Sequence, residues 1–381
     1  MAKKALIVAN LIGFVGFLWN DIEVLKDLGY EVSFAANSEI IAGENHQEEL
    51  EKKGVKFYQI GFSSKNPFAK ENIEAYRTIE RLLKKEKYDV VHCHTPIAGL
   101  ITRMAVRKYR KKGTVVIYTT HGFSFTHLSS RKKWIAYYTL EKFGSLFTDV
   151  IITINNEDYE IAKSMFCKNV RMINGVGVDT EKYHTVDINV NEYKQKLGIP
   201  RDKIVVLSVG ELSERKNHQI IIKALGEIKN KSDYCYVICG REVAGSGIVE
   251  KLKYLAQVCG VDLMLLGHRD DIPEIIHCSD IGAIPSVREG LGLAGIQSLS
   301  AGVPLVGTEV QGIKDYILSG KTGFLCDPYD VEGYKEAILK LSDKDLRNNM
   351  KNDCIEMAKH FDVSVSHRQM RDIYTSVLLG E

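Results

Sequence analysis

The stretch IGAIPSVREGLGLAGIQSLS, residues 281–300, joins a short apolar run to a glycine-rich loop and then to an apolar helix. A short apolar run bounded by turn residues is typical of a strand buried on both faces. Gly290 and Gly292 allow the backbone to approach a bound group closely. The first helical amides, near Leu293, lack partners within the helix and suit a phosphate group. This stretch predicts an α/β domain with an anion-binding loop, although a glycine loop that only turns a strand into a helix has the same pattern.

The same alternation of apolar runs and amphipathic stretches continues along the whole chain. In the first half, strands are predicted at residues 5–9, 31–35, 90–92, 115–119 and 150–153, and helices at 19–28, 73–85, 98–109 and 134–143. After residue 200, strands are predicted at residues 204–209, 234–239, 263–265, 281–285 and 303–307. Apolar strands separated by helices indicate parallel sheets that are covered on both faces.

A glycine-bearing segment, residues 174–179, separates the two halves. We predict an N-terminal Rossmann-like domain over residues 1–184 and a C-terminal one over 185–360. A last helix, within 361–381, is expected to pack back on the N-terminal domain. A chain of 381 residues suits two domains of ordinary size. Because parallel sheets bind ligands at their carboxyl ends, we expect the site in a deep cleft between two facing domains.

The composition excludes several classes of protein. Apolar residues make up 45% of the chain and charged residues 26%, which is typical of a soluble globular enzyme. The formal net charge of +2 argues against a general nucleic-acid binder. Eight cysteines without a paired CxxC framework, and no signal peptide, indicate reduced thiols in the cytoplasm. The longest apolar stretch, residues 6–19, is too short and too interrupted to span a membrane.

Charged residues follow two of the strands predicted in the C-terminal half. Glu289 lies in the glycine-rich loop, where its carboxylate can accept hydrogen bonds from sugar hydroxyls. Arg215 and Lys216 follow the strand at 204–209 and are placed to neutralise a leaving diphosphate. Charge pairs at the start of a helix are solvated surface in most proteins, so position alone leaves that alternative open.

Several ordered segments give the chain a family resemblance. They are HCHTP at 92–96, THGF at 120–123, GVGVD at 175–179, VGELSERKNH at 209–218, GHRDDI at 267–272 and the loop at 285–297. Together they resemble the retaining glycosyltransferases of family 4, which have the GT-B fold of two facing Rossmann-like domains. Within that family, the chain is most similar to bacterial enzymes that build capsular and extracellular polysaccharides.

The resemblance implies transfer of a sugar from a nucleotide-diphosphate donor, UDP-linked in our expectation, to a glycan or a polyprenyl-diphosphate-linked acceptor. It implies front-face displacement without a covalent nucleophile, without a metal ion and without a cofactor, since the nucleotide-sugar is a substrate. Two alternatives share the architecture. One is a nucleotide-sugar 2-epimerase, and the other is a donor-binding partner subunit that has lost catalysis.

The family signature also implies roles in the donor site. Glu289 corresponds to the glutamate that contacts the donor sugar, and the loop formed by Gly290, Leu291, Gly292 and Leu293 surrounds the diphosphate. Eight positions after Glu289, where the family has a second glutamate that holds the ribose, this chain has Gln297. Gln297 keeps an acceptor oxygen but loses the charge, so we expect weaker or altered nucleotide binding. A second departure is Glu211, where relatives often carry arginine; it leaves the diphosphate to Lys216, with Arg215 as a helper.

Four further residues complete the predicted site. Arg269 follows a strand, in a loop that in similar enzymes packs on the nucleotide base. His121 matches the family's histidine beside the donor sugar and reaction centre, and His94 is expected to line the acceptor side of the cleft. Gly16, in the loop after the first strand, is expected to approach the donor phosphate or the acceptor. His92 and His94 are one residue apart without a second ligand pair nearby, which argues against zinc.

Basic and aromatic residues of the N-terminal half fall into two segments. The first contains Arg103, Arg107, Lys108, Arg110, Lys111 and Lys112, and the second contains Arg131, Lys132, Lys133, Trp134, Tyr137 and Tyr138. Such a combination fits peripheral attachment to anionic lipid headgroups on the inner face of the membrane. It equally fits a solvated helix end whose aromatic side chains pack into the core.

Overall fold

The computed structural model describes residues 3–40, 45–63, 69–378 and 380. The chain forms two compact units, one of Met1–Gly177 with Ser364–Glu381 and the other of Val178–Val363. The boundary therefore precedes the one predicted after residue 184. The short helix Thr180–His184 belongs to the second unit because it packs against helices of that unit.

The first unit is built on a parallel sheet with the order β3-β2-β1-β4-β5-β6-β7. Its strands are β1 (Lys3–Leu11), β2 (Tyr30–Asn37), β3 (Lys56–Gln59), β4 (Val90–His94), β5 (Val115–Thr119), β6 (Val150–Thr153) and β7 (Asn169–Met172). The helices between them are α1 (Trp19–Asp27), α2 (Gln47–Lys52), α3 (Lys70–Lys85), α4 (Pro96–Arg110), α5 (Arg131–Ser145) and α6 (Asn156–Lys163). The order of strands reverses between β1 and β4.

The second unit repeats this topology with the order β10-β9-β8-β11-β12-β13, again parallel. Its strands are β8 (Ile204–Val209), β9 (Tyr234–Cys239), β10 (Asp262–Gly267), β11 (Ile281–Ile284), β12 (Leu305–Thr308) and β13 (Gly323–Cys326). Its helices are α7 (Thr180–His184), α8 (Val190–Leu197), α9 (His218–Gly226), α10 (Ile248–Cys259), α11 (Ile272–His277), α12 (Leu293–Ser300), α13 (Val331–Leu341) and α14 (Lys344–Lys359). The chain ends in α15 (Val363–Leu378).

The central strands are formed by the apolar runs of the sequence. Residues 5–9 of β1 are fully buried, as are those of β9 at 235–238. A buried aliphatic side chain contributes about 1.5–3 kcal/mol, so these runs supply a large part of the driving force for each unit. The two sheets therefore agree with the parallel α/β architecture predicted from the sequence.

The edge strands β3, β7 and β13 were absent from the sequence prediction. β3 reads Lys-Phe-Tyr-Gln and β7 reads Asn-Val-Arg-Met, and neither strand contains a buried residue. An edge strand pairs on one side only and remains half solvated, so it needs no continuous apolar run. This is why the apolar pattern identified the central strands and missed β3 and β7, whereas β13 reads Gly-Phe-Leu-Cys, contains two buried residues and was missed although it is apolar.

Helix α15 belongs almost entirely to the first unit. The hydroxyl of Tyr374, which is fully buried, donates a hydrogen bond of 2.9 Å to Asp21 Oδ1 in α1. The Ser366 hydroxyl donates to the carbonyl of Gly175, at 2.8 Å. The end of the chain is thus hydrogen-bonded to the start of the same unit. Among the described residues, no helix is both long and apolar enough to cross a membrane.

Candidate active site

The glycine-rich loop of the second unit connects β11 to α12, beside the point where the strand order reverses. Gly292 is the N-cap residue of α12, with φ of +79°, a conformation that favours glycine. No side chain in the described part of the chain caps this helix. The first amides of α12 therefore remain available to a negatively charged group.

Packing inside the unit also explains why glycine is found in and after this loop. The hydroxyl of Tyr316, a fully buried residue, donates a hydrogen bond to the carbonyl of Gly292 at 3.1 Å. A Cβ atom at Gly292 would lie 2.9 Å from that hydroxyl oxygen, and one at Gly295 would lie 2.4 Å from it. Tyr316 thus packs against the loop and occupies the space that a Cβ atom at Gly292 or Gly295 would need.

A charged cluster lies at this loop. The Lys216 ammonium donates a hydrogen bond of 2.8 Å to Glu289 Oε2, and Arg215 Nη1 donates to the same oxygen at 3.0 Å. Arg215 also donates to the carbonyl of Arg288, and its own carbonyl accepts from the amide of Val287. The loops after β8 and β11 are therefore joined side by side, and the structure brings together three residues that the sequence predicted as one site.

In this cluster, the negative charge of Glu289 is paired with the positive charges of Lys216 and Arg215. The side chains of Glu289 and Lys216 are only 16% and 15% exposed. Although burial alone would raise it, the charges of Lys216 and Arg215 hold the pKa of Glu289 below its usual value. Glu289 is therefore ionised at neutral pH. It pairs with Lys216 and Arg215, the two cations that the sequence predicted to bind a diphosphate.

The departure at position 211 has a clear consequence. Glu211 Oε1 accepts a hydrogen bond of 3.0 Å from Arg215 Nη2, so Arg215 is shared between two carboxylates. The backbone of Gly210, at φ of +147°, lies against the Lys216 side chain, and a Cβ there would lie 3.3 Å from Nζ. The loop thus holds Lys216 close to the carboxyl end of β8, while Arg215 is less available.

Gln297 and Leu291 have different surroundings from the glycines. Leu291 is 4% exposed, so its side chain packs inside the unit. Burial raises the pKa of Tyr183 in α7, and the Gln297 side chain beside its hydroxyl opposes that shift. Tyr183 was not predicted as part of the site, and its only sequence signal is that it follows the glycine-bearing segment 175–179.

Arg269 is held by its neighbours at the end of β10. Its guanidinium forms two hydrogen bonds to Asp271, one of them from Nε to Oδ1 at 2.7 Å, and the Tyr193 hydroxyl donates to the same carboxylate. Hydrogen bonding to Arg269 lowers the pKa of Asp271 to about 2. The Arg269 side chain is therefore committed to Asp271, which leaves the backbone of this loop as the group that could contact a ligand.

In the first unit, the adjacent strands β1, β4 and β5 bring three side chains to one edge of the sheet. His94 ends β4, His121 follows β5, and Phe14 lies in the turn after β1. His94 Nδ1 is 3.1 Å from His121 Nε2, and the ring of Phe14 packs edge-on against His121 with centroids 4.8 Å apart. Sequence analysis singled out the two histidines but not the contact of Phe14.

His94 does not line a surface, and this corrects the prediction. Its side chain is fully buried, and His121, which is partly exposed, lies between it and the edge. Burial lowers the pKa of His121 to about 4, so its imidazole is neutral at pH 7. Thr95, which follows His94 in the chain, has φ of +63°, a rare conformation for a β-branched residue. Such strain costs about 1–3 kcal/mol and is concentrated at functional sites.

Gly16 lies at the same edge, in the 3-10 turn Ile12–Phe17. Among the residues that the structure describes, a Cβ atom there would meet only His46 Nε2, at 3.6 Å, which is an ordinary contact. Within this described part of the chain, no contact requires glycine at position 16.

The two basic segments do not form one surface. Helices of a parallel α/β unit run opposite to the strands, so the end of α4 and the start of α5 lie at opposite edges of the sheet. Arg103 is fully buried and donates to Glu141 at 2.8 Å, with its guanidinium 3.8 Å from the centroid of the Tyr118 ring. Trp134 is partly buried and packs against the core. Arg103 is therefore a core residue, contrary to its assignment to a surface patch.

The described residues contain no group of three or more His, Cys, Asp or Glu side chains placed to hold a metal ion. Both ring nitrogens of His92 are engaged, Nδ1 with the Tyr374 hydroxyl at 2.6 Å and Nε2 with the Thr119 hydroxyl at 2.7 Å.

Comparison with known families matches both halves of the chain. Residues 18–182 match the model described as Glycosyltransferase Family 4, and residues 189–361 match Glycosyl transferases group 1. The two matches are consecutive and correspond to the two halves of the chain.

Two relatives resemble the chain over most of its length. EpsD of Bacillus subtilis (strain 168), which carries the name of a glycosyltransferase, is 32% identical and covers 99% of this chain and 98% of its own. The UDP-Gal:alpha-D-GlcNAc-diphosphoundecaprenol alpha-1,3-galactosyltransferase of Escherichia coli is 30% identical and covers 80% of this chain and 79% of its own.

Solved structures share the fold at lower identity. Anabaena Alr3699/HepE, determined in complex with UDP and glucose, has a TM-score of 0.78 at 19% identity, covering 98% of this chain and 100% of its own. The sucrose-phosphate synthase of Thermosynechococcus elongatus has a TM-score of 0.81 at 15% identity, with 100% of both chains covered. With its two Rossmann-like units and its relatives, this chain belongs to the family 4 glycosyltransferases of the GT-B fold.

Proposed function

We propose that this glycosyltransferase moves a sugar from a UDP-linked donor to a lipid-linked glycan acceptor, with retention of anomeric configuration. The observation that carries the proposal is the cluster of Lys216, Arg215 and Glu289 at the glycine loop of the second unit. The Escherichia coli relative, whose name specifies a UDP-sugar donor and a diphosphoundecaprenol acceptor, supports this choice of substrates.

The cluster provides for donor binding by an exchange of partners. In the structure, Glu289 neutralises Lys216 and part of Arg215. A bound diphosphate would accept hydrogen bonds from Lys216 and from the first amides of α12, which stabilise the charge that grows as the glycosidic bond breaks. Glu289 would then turn its free carboxylate lone pairs to the hydroxyls of the donor sugar. The exchange couples release of the carboxylate to arrival of the phosphates.

His121 would hydrogen-bond a substrate sugar, since it is partly exposed at the carboxyl edge of the sheet of the first unit. We assign no covalent nucleophile, so the departing phosphate would assist deprotonation of the acceptor hydroxyl. We propose that this transfer requires no metal ion, because Lys216 and Arg215 supply positive charge at the loop. Activity that survives an excess of EDTA would support this, and loss of activity restored by a divalent cation would contradict it.

The test uses variants Glu289→Ala and Lys216→Ala with UDP-sugars and an undecaprenyl-diphosphate-linked acceptor. Both should lose most of the transfer while remaining folded. The matched control is Lys251→Ala, which removes an exposed lysine that pairs with Glu214 on the surface of the same unit. Near-native turnover of both site variants would refute the assignment.

Product analysis distinguishes the remaining possibilities. Magnetic resonance of the product reports the anomeric configuration, and inversion would refute the retaining mechanism. Incubation with the donor alone tests for a 2-epimerase, which would release an epimerised sugar nucleotide. Binding of a UDP-sugar without turnover across a panel of acceptors would instead indicate a catalytically inactive partner subunit.

We also propose that α5 docks on an anionic membrane surface. The side of α5 that faces away from the core exposes Ile135 and Phe143, and Leu146 caps the end of the helix; the three are between 43% and 51% exposed. Lys132, on the same side, is exposed as well. Apolar side chains flanked by cations suit the boundary between headgroups and acyl chains. This restricts membrane contact to the second of the two basic segments.

Vesicle sedimentation tests the docking. The wild-type protein should bind vesicles that contain anionic phospholipid and bind weakly to purely zwitterionic ones. The double variant Ile135→Ser, Phe143→Ser should lose binding. Its control is Val258→Ser, which removes a comparably exposed apolar residue, 64% exposed, from α10. Equal binding of the double variant and the control would overturn the proposal.

A further inference from the structure

His121 is in contact with a buried histidine, His94. His94 is fully buried, and its Nδ1 is 3.1 Å from Nε2 of His121. Its ring stacks on that of His92, with centroids 4.1 Å apart and planes inclined by 39°. His92 in turn is fixed by two hydrogen bonds, one of them to Tyr374 in α15. His94 is therefore held in one position between a fully bonded histidine and His121.

His94 has a single polar partner in the described part of the chain. Its Nε2 is buried and has no hydrogen-bond partner there, so the contact with His121 is the bond available to the ring. Burial places the pKa of His94 well below its usual value, so the ring is neutral and carries one proton. That proton is on Nδ1 or on Nε2, and the two choices have different costs.

A proton on Nε2 would leave a buried N–H without an acceptor. Buried orphan donors are rarer than under-satisfied acceptors, and each costs the desolvation free energy of the group. A proton on Nδ1 instead donates to His121 Nε2 and leaves only a lone pair unpaired on His94 Nε2. The tautomer with Nδ1–H is therefore favoured for His94.

The state of His121 follows from that of His94. His121 Nε2 must accept the hydrogen bond, and the imidazole is neutral at pH 7, so its proton is on Nδ1. We infer that His94 is a positioning residue that fixes His121 as its Nδ1–H tautomer, so that His121 presents a hydrogen-bond donor to the bound ligand. The matching ligand group is an oxygen lone pair, from a sugar hydroxyl or a phosphate.

This assignment deepens the proposed function, on which its catalytic consequence rests. An Nδ1–H group cannot accept a proton from an acceptor hydroxyl, so His121 orients the donor sugar and does not act as a general base. This agrees with the proposal that the departing phosphate, and not a side chain, assists deprotonation of the acceptor hydroxyl.

The direct test is the imidazole tautomer of His121 in the unmodified protein. Long-range ¹H–¹⁵N correlation spectra of protein labelled with ¹⁵N-histidine distinguish protonated from unprotonated ring nitrogens, and loss of signals in His121→Gln assigns the residue. We expect a protonated Nδ1 and an unprotonated Nε2. Histidine side chains free in water favour the opposite form, and finding that form at His121 would overturn the inference. This measurement needs no substrate, so it stands even if the proposed transfer fails.

Two variants at position 94 test the cause. His94→Gln keeps an N–H donor for His121 Nε2 and should preserve the Nδ1–H signature. His94→Phe fills the same space without a donor and should shift His121 toward Nε2–H. With loss of one properly placed donor, kcat for transfer should fall about five- to tenfold in His94→Phe, and His94→Gln should restore most of it. An unchanged tautomer in folded His94→Phe would contradict the assigned role of His94.

Discussion

Replacement of Glu289 by glutamine removes one negative charge from the cluster at the glycine loop and leaves its shape unchanged. Glu289 Oε2 accepts two charged hydrogen bonds, from Lys216 and Arg215, at 2.8 and 3.0 Å. Lys216 and Arg215 remain cations in the variant, so each bond stays charge-assisted and loses only the attraction to a negative acceptor, about 1 kcal/mol for each pair. Solvent screening removes little of this effect, because the Glu289 side chain is only 16% exposed.

The second unit should therefore lose about 2 kcal/mol of its free energy of unfolding in Glu289→Gln. For a unit of this size, the melting temperature falls by about 2–4 °C per kcal/mol, so the expected decrease is about 4–8 °C. Differential scanning calorimetry is the appropriate assay. Both tryptophans, Trp19 and Trp134, lie in the first unit, so their fluorescence would not report on this loop.

Addition of UDP makes the prediction specific. In the wild type, the diphosphate has to displace Glu289 from Lys216, whereas in Glu289→Gln it meets a Lys216 that lacks this counterion, while Arg215 keeps its ion pair with Glu211. The increase in melting temperature caused by UDP should thus be larger in the variant, by about 2–4 °C if the competition is worth about 1 kcal/mol. The control is Glu211→Gln, because Glu211 is 44% exposed and its ion pair should contribute about 0–1 kcal/mol. Equal UDP-induced shifts in the wild type and Glu289→Gln would refute the partner exchange.

Three further perturbations test the fold around the sites. Tyr374→Phe leaves the buried carboxyl of Asp21 without its donor and should lower the free energy of unfolding by about 1–3 kcal/mol, measured by urea denaturation; no change would contradict the anchoring of α15. Gly295→Ala places a Cβ at 2.4 Å from the Tyr316 hydroxyl and should cost about 1–3 kcal/mol by overpacking, seen as a lower melting temperature. Burial lowers the pKa of His218 to about 4. Below pH 6.5, the unfolded chain therefore binds a proton at this histidine that the folded unit does not bind. Between pH 7 and 5 this should remove about 2 kcal/mol of stability, and His218→Gln should show a correspondingly weaker dependence on pH in denaturant titrations.

The apolar runs determined the central strands of both units. β5 and β6 were predicted with their observed bounds, and so were β8 and β9, because a strand buried on both faces must be apolar throughout. Edge strands such as β3 escaped because half-solvated strands carry polar residues. The limits of the units also escaped, since they depend on which helices α7 packs against and not on a local pattern.

The site shows the same division. The glycine loop, Glu289 and the Arg215–Lys216 pair could be found from residue type and spacing, because amides, glycines and charges near one strand end have few other uses. The packing of Tyr316 against Gly292 could not be found in this way, since Tyr316 is distant in the chain and reaches the loop only in the folded unit. Arg269 was identified by its position, yet its side chain is committed to a neighbouring carboxylate.

The sequence alone therefore determined the α/β architecture and the family, and it located the glycine-rich loop of the candidate site, because these depend on periodicity and on short motifs. Only the tertiary structure decided the partners of those residues. It paired Lys216 with Glu289 and buried Arg103 against Glu141. It also set His94 behind His121, because residues on neighbouring parallel strands meet through register, which no local pattern specifies.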